Sequence, residues 1–173
     1  MIEAIINRHS VRKFTEQPVE EEKLHLVLQA AMQAPSAKNA QPWEFFVIRD
    51  KEVMEKLSRV QPYGVSAKNA SVLIVPVCNK QRYTDDLDAF WQEDLSAATQ
   101  TILLAASALG LGTTWLALAP LQERIDGARE VLGLPERMVP FALLPLGYPL
   151  RERTVVSRYD ETRLHYIPEE KAE

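Results

Sequence analysis

The segment from Arg8 to Phe14 concentrates positive charge in a chain that is acidic overall. It has the sequence RHSVRKF, which combines arginine, histidine, serine and lysine side chains. Arginine binds phosphate oxygens through two parallel hydrogen bonds, and a serine hydroxyl adds a further donor. The alternative is a solvated basic turn after a short helix, which is what most charged runs are. These residues alone therefore leave both a phosphate site and a surface turn open.

A second polar segment, APSAKNAQPW, ends at Trp43 and lies between a predicted helix and a predicted strand. It offers hydroxyl, ammonium and carboxamide groups, and carboxamides both donate and accept hydrogen bonds. Such a loop could bind the polar edge of a planar heterocycle. It could also be a helix-to-strand turn whose side chains satisfy nearby backbone groups.

Two segments near the C-terminus add candidates for the same chemistry. The first is Gly147-Tyr-Pro, which contains a glycine turn, and the second is Arg158-Tyr-Asp, which contains an isolated arginine. Together they could complete a phosphate site, or they could belong to an ordinary tail.

Other kinds of site are disfavoured by what the sequence lacks. The histidines are scattered without HExxH spacing, so we expect no catalytic metal. There is no GxSxG nucleophile elbow. The segment beginning at Gly110 is no dinucleotide fingerprint, because Trp115 occupies the third glycine position and the order runs from helix to strand. The single cysteine, Cys78, excludes an internal disulfide and indicates a buried strand thiol.

Composition restricts the partners and the compartment. Twenty basic against 24 acidic residues give a net charge of −4, and a chain of that charge lacks the basic footprint of nucleic-acid binding. The longest apolar stretch, 102–118, is interrupted by serine, glycine and threonine, so it is too polar to span a bilayer. No secretory signal is visible at the N-terminus. We expect a cytoplasmic protein that binds neither nucleic acid nor a membrane.

Hydrophobic periodicity predicts the elements that position these segments. Strands are expected over 43–48, 71–77, 113–119 and 139–146, and an extended tail over 150–173. Helices are expected over 1–7, 19–32, 51–60, 90–109 and 120–132, the last with Pro120 at its first position and Gly133 after its end. No repeat or linker divides the chain, so residues 1–173 form one predicted domain. Irregular alternation of helices and strands favours an α+β fold.

The predicted helix over 90–109 is apolar on every side in its second half, from Ile102 to Leu109. A helix of that kind must be buried, either within the domain or against another subunit. In a domain of 173 residues the second option is attractive. We therefore expect a charge at Leu103 or Leu104 to dissociate a dimer.

Six segments occur in the order that is typical of nitroreductase-family FMN proteins: RHSVRKF, PSAKNAQPW, QEDLSAATQTILLAA, GLGTTW, LPLGYP and RYDETRLHY. The chain thus resembles the nitroreductase family of FMN-dependent NAD(P)H oxidoreductases over nearly its whole length. The resemblance implies an α+β sandwich with a central, mostly antiparallel sheet flanked by helices. It also implies a homodimer formed through the long helix, two FMN sites at the interface, and a C-terminal tail that contacts the partner subunit.

The resemblance assigns roles to the candidate segments. The loop from Arg8 to Arg12 would bind the phosphate and ribityl end of FMN, with Arg158 as a second phosphate ligand and Gly147 in a nearby tight turn. A backbone N–H of Ala117 would approach flavin N5. His9 stands where arginine is common. The implied cofactor-binding residues, of which Pro35 and Ser36 would come from the partner, are Arg8, His9, Ser10, Arg12, Pro35, Ser36, Ala37, Asn39, Gln41, Trp115, Leu116, Ala117, Gly147 and Arg158.

The function that the resemblance implies is hydride transfer from NADH or NADPH to FMN, followed by ping-pong reduction of a nitroaromatic, a quinone or a similar small oxidant. No side chain is then needed as an obligatory acid, because the flavin carries the chemistry. Two alternatives stay open. One is a flavin-dependent dehydrogenase or dehalogenase of narrow specificity, and the other is a sensor that binds flavin without turnover.

Overall fold

The computed structural model describes residues 2–151 and 156–167, except for the side chains of 85–87. The helices of this part are α1 (Ile2–Asn7), α2 (Glu21–Ala31), α3 (Lys51–Ser58), α4 (Val65–Asn69), α5 (Trp91–Ala108) and α6 (Gln122–Leu132). The strands are β1 (Trp43–Ile48), β2 (Val72–Asn79), β3 (Gly112–Thr113), β4 (Leu116–Ala117), β5 (Met138–Pro140) and β6 (Ala142–Gly147).

One sheet organises the chain. Its order is β1-β2-β6-β3, with β4 also paired to β6 and β5 also paired to β2. All five strand pairs are antiparallel. The predicted α+β fold with a mostly antiparallel sheet is confirmed, and strand β1 has the predicted bounds.

Helices cover both faces of the sheet. Strand β2 is buried at every residue from Val72 to Cys78, as its continuous apolar sequence requires. Helix α5 packs against α2 and also contacts β1 and β2, whereas α4 contacts β6 and α6 contacts β5. Helix α2 buries the face that the sequence predicts, which contains Leu24, Val27 and Ala31.

Helix α5 is buried along one side only within the chain. Ile102, Leu103 and Ala106 are buried, whereas Leu104 and Ala105 on the same apolar half are partly exposed. The domain therefore covers only part of the apolar surface that the sequence carries here. The remaining part is available to a second chain.

Two of the predicted helices, α2 and α6, begin later in the chain than the sequence predicts. Helix α2 begins at Glu21 and not at Val19, because Glu20 has an extended backbone (φ −65°, ψ 142°) and the carbonyl of Val19 accepts from Nη2 of Arg49 at 3.2 Å. Pro120 is outside α6, which begins at Gln122, because the N–H of Leu121 donates to the carbonyl of Leu118 at 3.0 Å and closes a turn first. Gly133 does end α6, with a left-handed φ of 62° that suits glycine.

The strand predicted over 139–146 is interrupted at Phe141. The pairing of Val77 with Pro140 and of Ile74 with Leu144 leaves one extra residue on this side, so Phe141 forms a bulge. The N–H of Phe141 donates to the carbonyl of Pro76 at 2.9 Å. Sequence periodicity does not detect a single inserted residue, which is why the prediction was continuous.

The strand predicted over 113–119 is also divided, into β3 and β4. Both keep the same register against β6, which places Pro145 and Leu144 opposite the two residues of the break, Thr114 and Trp115. Proline has no N–H to donate, so the ladder is interrupted opposite Pro145. The prediction of one continuous strand was therefore wrong.

The basic segment after α1 lies along the end of this sheet. The N–H of Val11 donates to the carbonyl of Thr113 at 2.9 Å, and the N–H of Leu150 donates to the carbonyl of Lys13 at 3.0 Å. Ser10 forms a parallel bridge with Thr113. These bonds fix residues 10–13 between β3 and the segment that follows β6.

Two glycines allow this close approach. A Cβ on Gly112 would lie 2.7 Å from the Cβ of Val11, and one on Gly147 would lie 3.0 Å from the Cδ1 of Phe14. Gly147 is the buried last residue of β6 and not part of the tight turn that the resemblance implied. Its role here is to leave space for the Phe14 ring.

The described part of the C-terminal tail, 156–167, is exposed and contains one short turn of 3-10 helix at Glu161–Arg163. The rest of the predicted tail, 152–155 and 168–173, lies outside the described residues, as does Met1 of the first predicted helix. None of the described helices has the length and the apolar character needed to cross a membrane.

We predict that Gly112→Ala lowers the free energy of unfolding by about 1–3 kcal/mol, because the added methyl group overlaps Val11 in a packed region. Urea denaturation measures the change. Gly127→Ala in α6 is the matched control, since its Cβ would meet only Val60 at 3.2 Å and alanine favours helix. Equal stability of the Gly112→Ala and Gly127→Ala variants would contradict the close approach.

Candidate functional site

A cationic pocket of about 240 Å³ lies beside the segment that follows α1. Two of its walls are continuous in sequence, 9–13 on one side and 150–151 on the other. The bond between Leu150 and Lys13 holds the two walls together. The lining residues are His9, Ser10, Val11, Arg12, Lys13, Leu150 and Arg151.

The charge of this pocket is not neutralised within the described chain. No ion pair joins Arg12, Lys13 or Arg151 to a carboxylate of residues 2–151 or 156–167. All three side chains are exposed and free to turn toward a ligand. With the hydroxyl of Ser10, they form a set of donors that suits a phosphate group.

A second cavity of about 190 Å³ adjoins the first and shares His9 and Val11 with it. Arg8 lines it from the end of α1, and Leu103 and Ser107 line it from α5. Thr113 also lines it, and its buried Oγ1 has no hydrogen-bond partner among the described atoms. A buried hydroxyl without a partner is costly.

His9 contacts both cavities, and its Nδ1 lies 3.0 Å from the carbonyl of Asn7. A carbonyl can only accept, so this bond requires the proton on Nδ1 and leaves Nε2 free. This bond fixes the orientation of the His9 ring at the boundary of the two cavities.

The loop from Ser36 to Gln41 contains three residues with left-handed backbone angles: Lys38 (φ 45°), Asn39 (φ 57°) and Gln41 (φ 46°). Their side chains are exposed. The Oγ of Ser36 accepts from the N–H of Gln41 at 2.9 Å, and the Oδ1 of Asp94 accepts from the N–H of Ala37 at 2.9 Å. The loop is thus a defined structure and not a loose turn.

The segment Trp115–Ala117 rests on an aromatic cluster. The ring of Phe141 packs edge-on against Trp115 at 5.5 Å and against Trp91 at 5.8 Å. Leu116 is buried and Ala117 is exposed. Nη1 of Arg124 donates to the carbonyl of Ala117 at 3.1 Å, which fixes the orientation of this strand.

Two groups of the predicted residues are attached near opposite ends of α5. The segment from Arg8 to Arg12 lies beside the C-terminal half of α5, where Ser107 lines the second cavity of about 190 Å³. The Ser36–Gln41 loop is bonded to Asp94 in the first turn of the same helix. At about 1.5 Å per residue, the two anchor points are about 20 Å apart along α5. One chain does not bring these two groups together.

The structure also shows residues that sequence reasoning missed. Arg151 lines the cationic pocket, whereas Arg158 is exposed and lines neither of the two cavities. The sequence contains one indication of Arg151, because this arginine lies only four residues after the candidate Gly147. Asp94 and Arg124 also hold predicted segments in place, but only folding brings them there.

Titratable groups near these segments offer no nucleophile. Burial raises the pKa of the Cys78 thiol to about 12, which keeps it protonated at neutral pH. Burial, followed by the hydrogen bond to Asp94, raises the pKa of Tyr83 as well. Within the described part of the chain, no group of three or more His, Cys, Asp or Glu side chains is placed to hold a metal ion.

Comparison with known proteins gives one consistent result. The model of the nitroreductase family matches residues 5–62 and 62–148. A protein of Methanothermobacter thermautotrophicus, provisionally named an NADH dehydrogenase/NAD(P)H nitroreductase, is 41% identical over 165 residues, which are 95% of this chain and 85% of that protein.

Solved structures agree with the sequence match. A protein of Parabacteroides distasonis with the same provisional name has a TM-score of 0.90 at 34% identity, covering 95% of this chain and 96% of that one. A nitroreductase of Desulfovibrio desulfuricans, provisionally named and solved in complex with FMN, has a TM-score of 0.81 at 31% identity, covering 96% of each chain. The predicted fold is confirmed.

Proposed function

The chain belongs to the nitroreductase family, and from this premise we propose that it is an FMN-dependent oxidoreductase that takes a hydride from NADH or NADPH and reduces a small oxidant. The observation that carries the proposal is the pocket lined by Arg12, Lys13 and Arg151, whose charges form no ion pair with the carboxylates of residues 2–151 and 156–167. Nitroaromatics and quinones are the proposed class of oxidant.

The residues present fit the phosphate end of FMN. Arg12 and Arg151 supply guanidinium groups, and Ser10 supplies a hydroxyl on the same wall. In the adjoining cavity, Arg8 and Thr113 extend this lining toward α5. A polar chain such as ribityl carries the hydroxyls that such donors and acceptors bind. Arg158 stays a predicted phosphate ligand.

The flavin ring end is proposed to lie between the Ser36–Gln41 loop and the strand at Ala117. Ser36, Asn39 and Gln41 carry groups that hydrogen-bond the polar edge of a heterocycle. Trp115, Leu116 and Ala117 form a surface held by Phe141 and Arg124. A backbone N–H of Ala117 directed at N5 would stabilise developing negative charge.

When bound, FMN accepts the hydride and supplies the reducing equivalents, which is why the site needs no side-chain acid. The protein contributes binding, orientation and an open face. Hydride donor and oxidant are proposed to use that one face in turn, which gives ping-pong kinetics.

We also propose that the site is completed by a second copy of the chain. The two groups of predicted residues lie about 20 Å apart along α5 in one chain, so a partner that contributes the loop with Pro35 and Ser36 would close the gap. The half-exposed Leu104 and Ala105 leave an apolar side of α5 for that partner. The exposed Tyr159, Tyr166 and Ile167 suit the proposed contact of the tail with the partner.

We predict that the purified protein is yellow and bleaches under anaerobic conditions when NADH or NADPH is added. A visible absorption spectrum before and after addition checks this. A colourless protein that also fails to bind added FMN would contradict the cofactor. Flavin that stays oxidised with both donors would contradict the reductase and support the sensor. Intersecting initial-rate lines, in place of parallel ones, would contradict the ping-pong order.

We predict that Arg12→Ala weakens the binding of FMN about tenfold or more but leaves riboflavin unchanged, because only FMN carries the phosphate that a charged donor binds. Titration of the apoprotein with each ligand, followed by flavin fluorescence, gives both dissociation constants. Arg137→Ala is the control, since Arg137 is exposed and outside the pocket. An equal loss for FMN and riboflavin would contradict phosphate binding by Arg12.

We predict that Leu104→Glu produces a monomer that releases flavin, because a charge cannot be buried unpaired at an apolar interface. A charge at Leu103, which the sequence also offers, is a poorer test of the proposed dimer. It is only 4% exposed within the chain, so a charge there would unfold the domain itself.

Size-exclusion chromatography with detection of flavin absorbance measures both effects of Leu104→Glu. Tyr63→Glu is the control, since Tyr63 is exposed and lies just before α4, a helix that packs against α3 and β6. A Leu104→Glu monomer that keeps its flavin would contradict the shared site.

A further inference from the structure

The Ser36–Gln41 loop adopts a backbone that its own residues disfavour. Lys38 and Gln41 have positive φ angles of 45° and 46°, a region that side chains with a Cβ rarely occupy. Such conformations persist only where the surrounding structure enforces them, and they concentrate at binding sites. The side chains of Lys38, Asn39 and Gln41 are exposed, so burial of these side chains does not account for the angles.

One carboxylate makes the hydrogen bond that joins the loop to the rest of the protein, and Ala40 also packs partly buried against the core. The Oδ1 of Asp94 accepts from the N–H of Ala37 at 2.9 Å, across 57 residues of sequence. Within residues 2–151 and 156–167, the other hydrogen bonds of the loop run between its own members, such as Ser36 with Gln41 and Ala37 with Ala40. Asp94 is therefore the anchor of the loop.

The anchor is itself held rigidly. Asp94 is 5% exposed and lies in the first turn of α5, where the helix dipole favours a negative charge. Its Oδ2 accepts from the hydroxyl of Tyr83, which is also buried, at 2.7 Å. Both carboxylate oxygens have partners, so the carboxylate cannot turn away from Ala37 without leaving a buried donor unpaired.

We propose that Asp94 is a positioning residue, which fixes the strained Ser36–Gln41 loop in the conformation that binds flavin. This inference rests on the proposed function, because the flavin is the ligand that the loop would meet. Asp94 touches the loop backbone and not the ligand. Its contribution is to order the loop before binding, which lowers the entropy lost when the cofactor binds.

The test compares Asp94→Ala with the wild-type apoprotein in two measurements. The first is the dissociation constant of FMN from fluorescence titration, which we expect to rise about tenfold or more, because a charge-assisted hydrogen bond is lost. The second needs no flavin. Trypsin cleaves after Lys38, and we expect the rate of cleavage there to rise relative to the overall loss of folded protein.

Two further variants separate positioning from general stability. Asp50→Ala also removes a carboxylate that accepts from two backbone N–H groups, at the start of α3. It should leave Lys38 cleavage and FMN binding unchanged. Asp94→Asn keeps an acceptor for Ala37 and an amide that can donate to the Tyr83 oxygen, so it should restore most of both readouts. If Asp94→Ala does not fold, Asp94→Asn is compared with the wild type in the same two measurements.

The outcomes decide the two proposals separately. Wild-type values of Lys38 cleavage and FMN affinity in Asp94→Ala would overturn the positioning role. Faster cleavage at Lys38 with weaker FMN binding, restored by Asp94→Asn, would support it. If the wild-type protein binds no FMN, the proposed function fails, and the cleavage rate at Lys38 alone then decides whether Asp94 orders the loop.

Discussion

The close approach of the Arg8–Phe14 segment to the sheet is the constraint on which the candidate site depends. The absence of a Cβ at Gly112 and Gly147 lets this segment lie within van der Waals distance of β3 and β6. Backbone hydrogen bonds through Val11 and Leu150 then fix it. With the backbone held in this way, the charged side chains of Arg12 and Arg151 point away from the core into one pocket, although 139 positions separate them in sequence.

Irregularities of the sheet shape the other half of the site. The bulge at Phe141 and the interruption opposite Pro145 divide what would be long strands into short ones. Bulges bend a strand and redirect its side chains. Here the bulged residue is Phe141, whose ring supports Trp115 and Trp91. The surface at Ala117 thus depends both on the regular pairing of β4 with β6 and on the bulged Phe141 that supports Trp115.

Helix α5 connects the Ser36–Gln41 loop with the cavity beside Arg8 and also keeps the two apart. Its first turn carries Asp94, which holds the Ser36–Gln41 loop, and its last turns line the cavity beside Arg8. A rigid helix keeps its ends at a fixed distance, so the two groups of residues cannot close on one ligand by bending. This geometry is the physical reason for proposing that a second copy completes each site.

The sequence by itself determined the fold class, the position of most elements, and the candidate segments, because apolar periodicity and basic or polar clusters are local properties. It also indicated the nitroreductase family. Tertiary structure alone decided that Arg151 lines the pocket, that Gly147 makes room for Phe14, and that Asp94 anchors the loop. It also decided the bulge at Phe141 and the gap between β3 and β4 opposite Pro145. Each of these depends on a contact between residues distant in sequence, and no local pattern records which distant residue will be the neighbour.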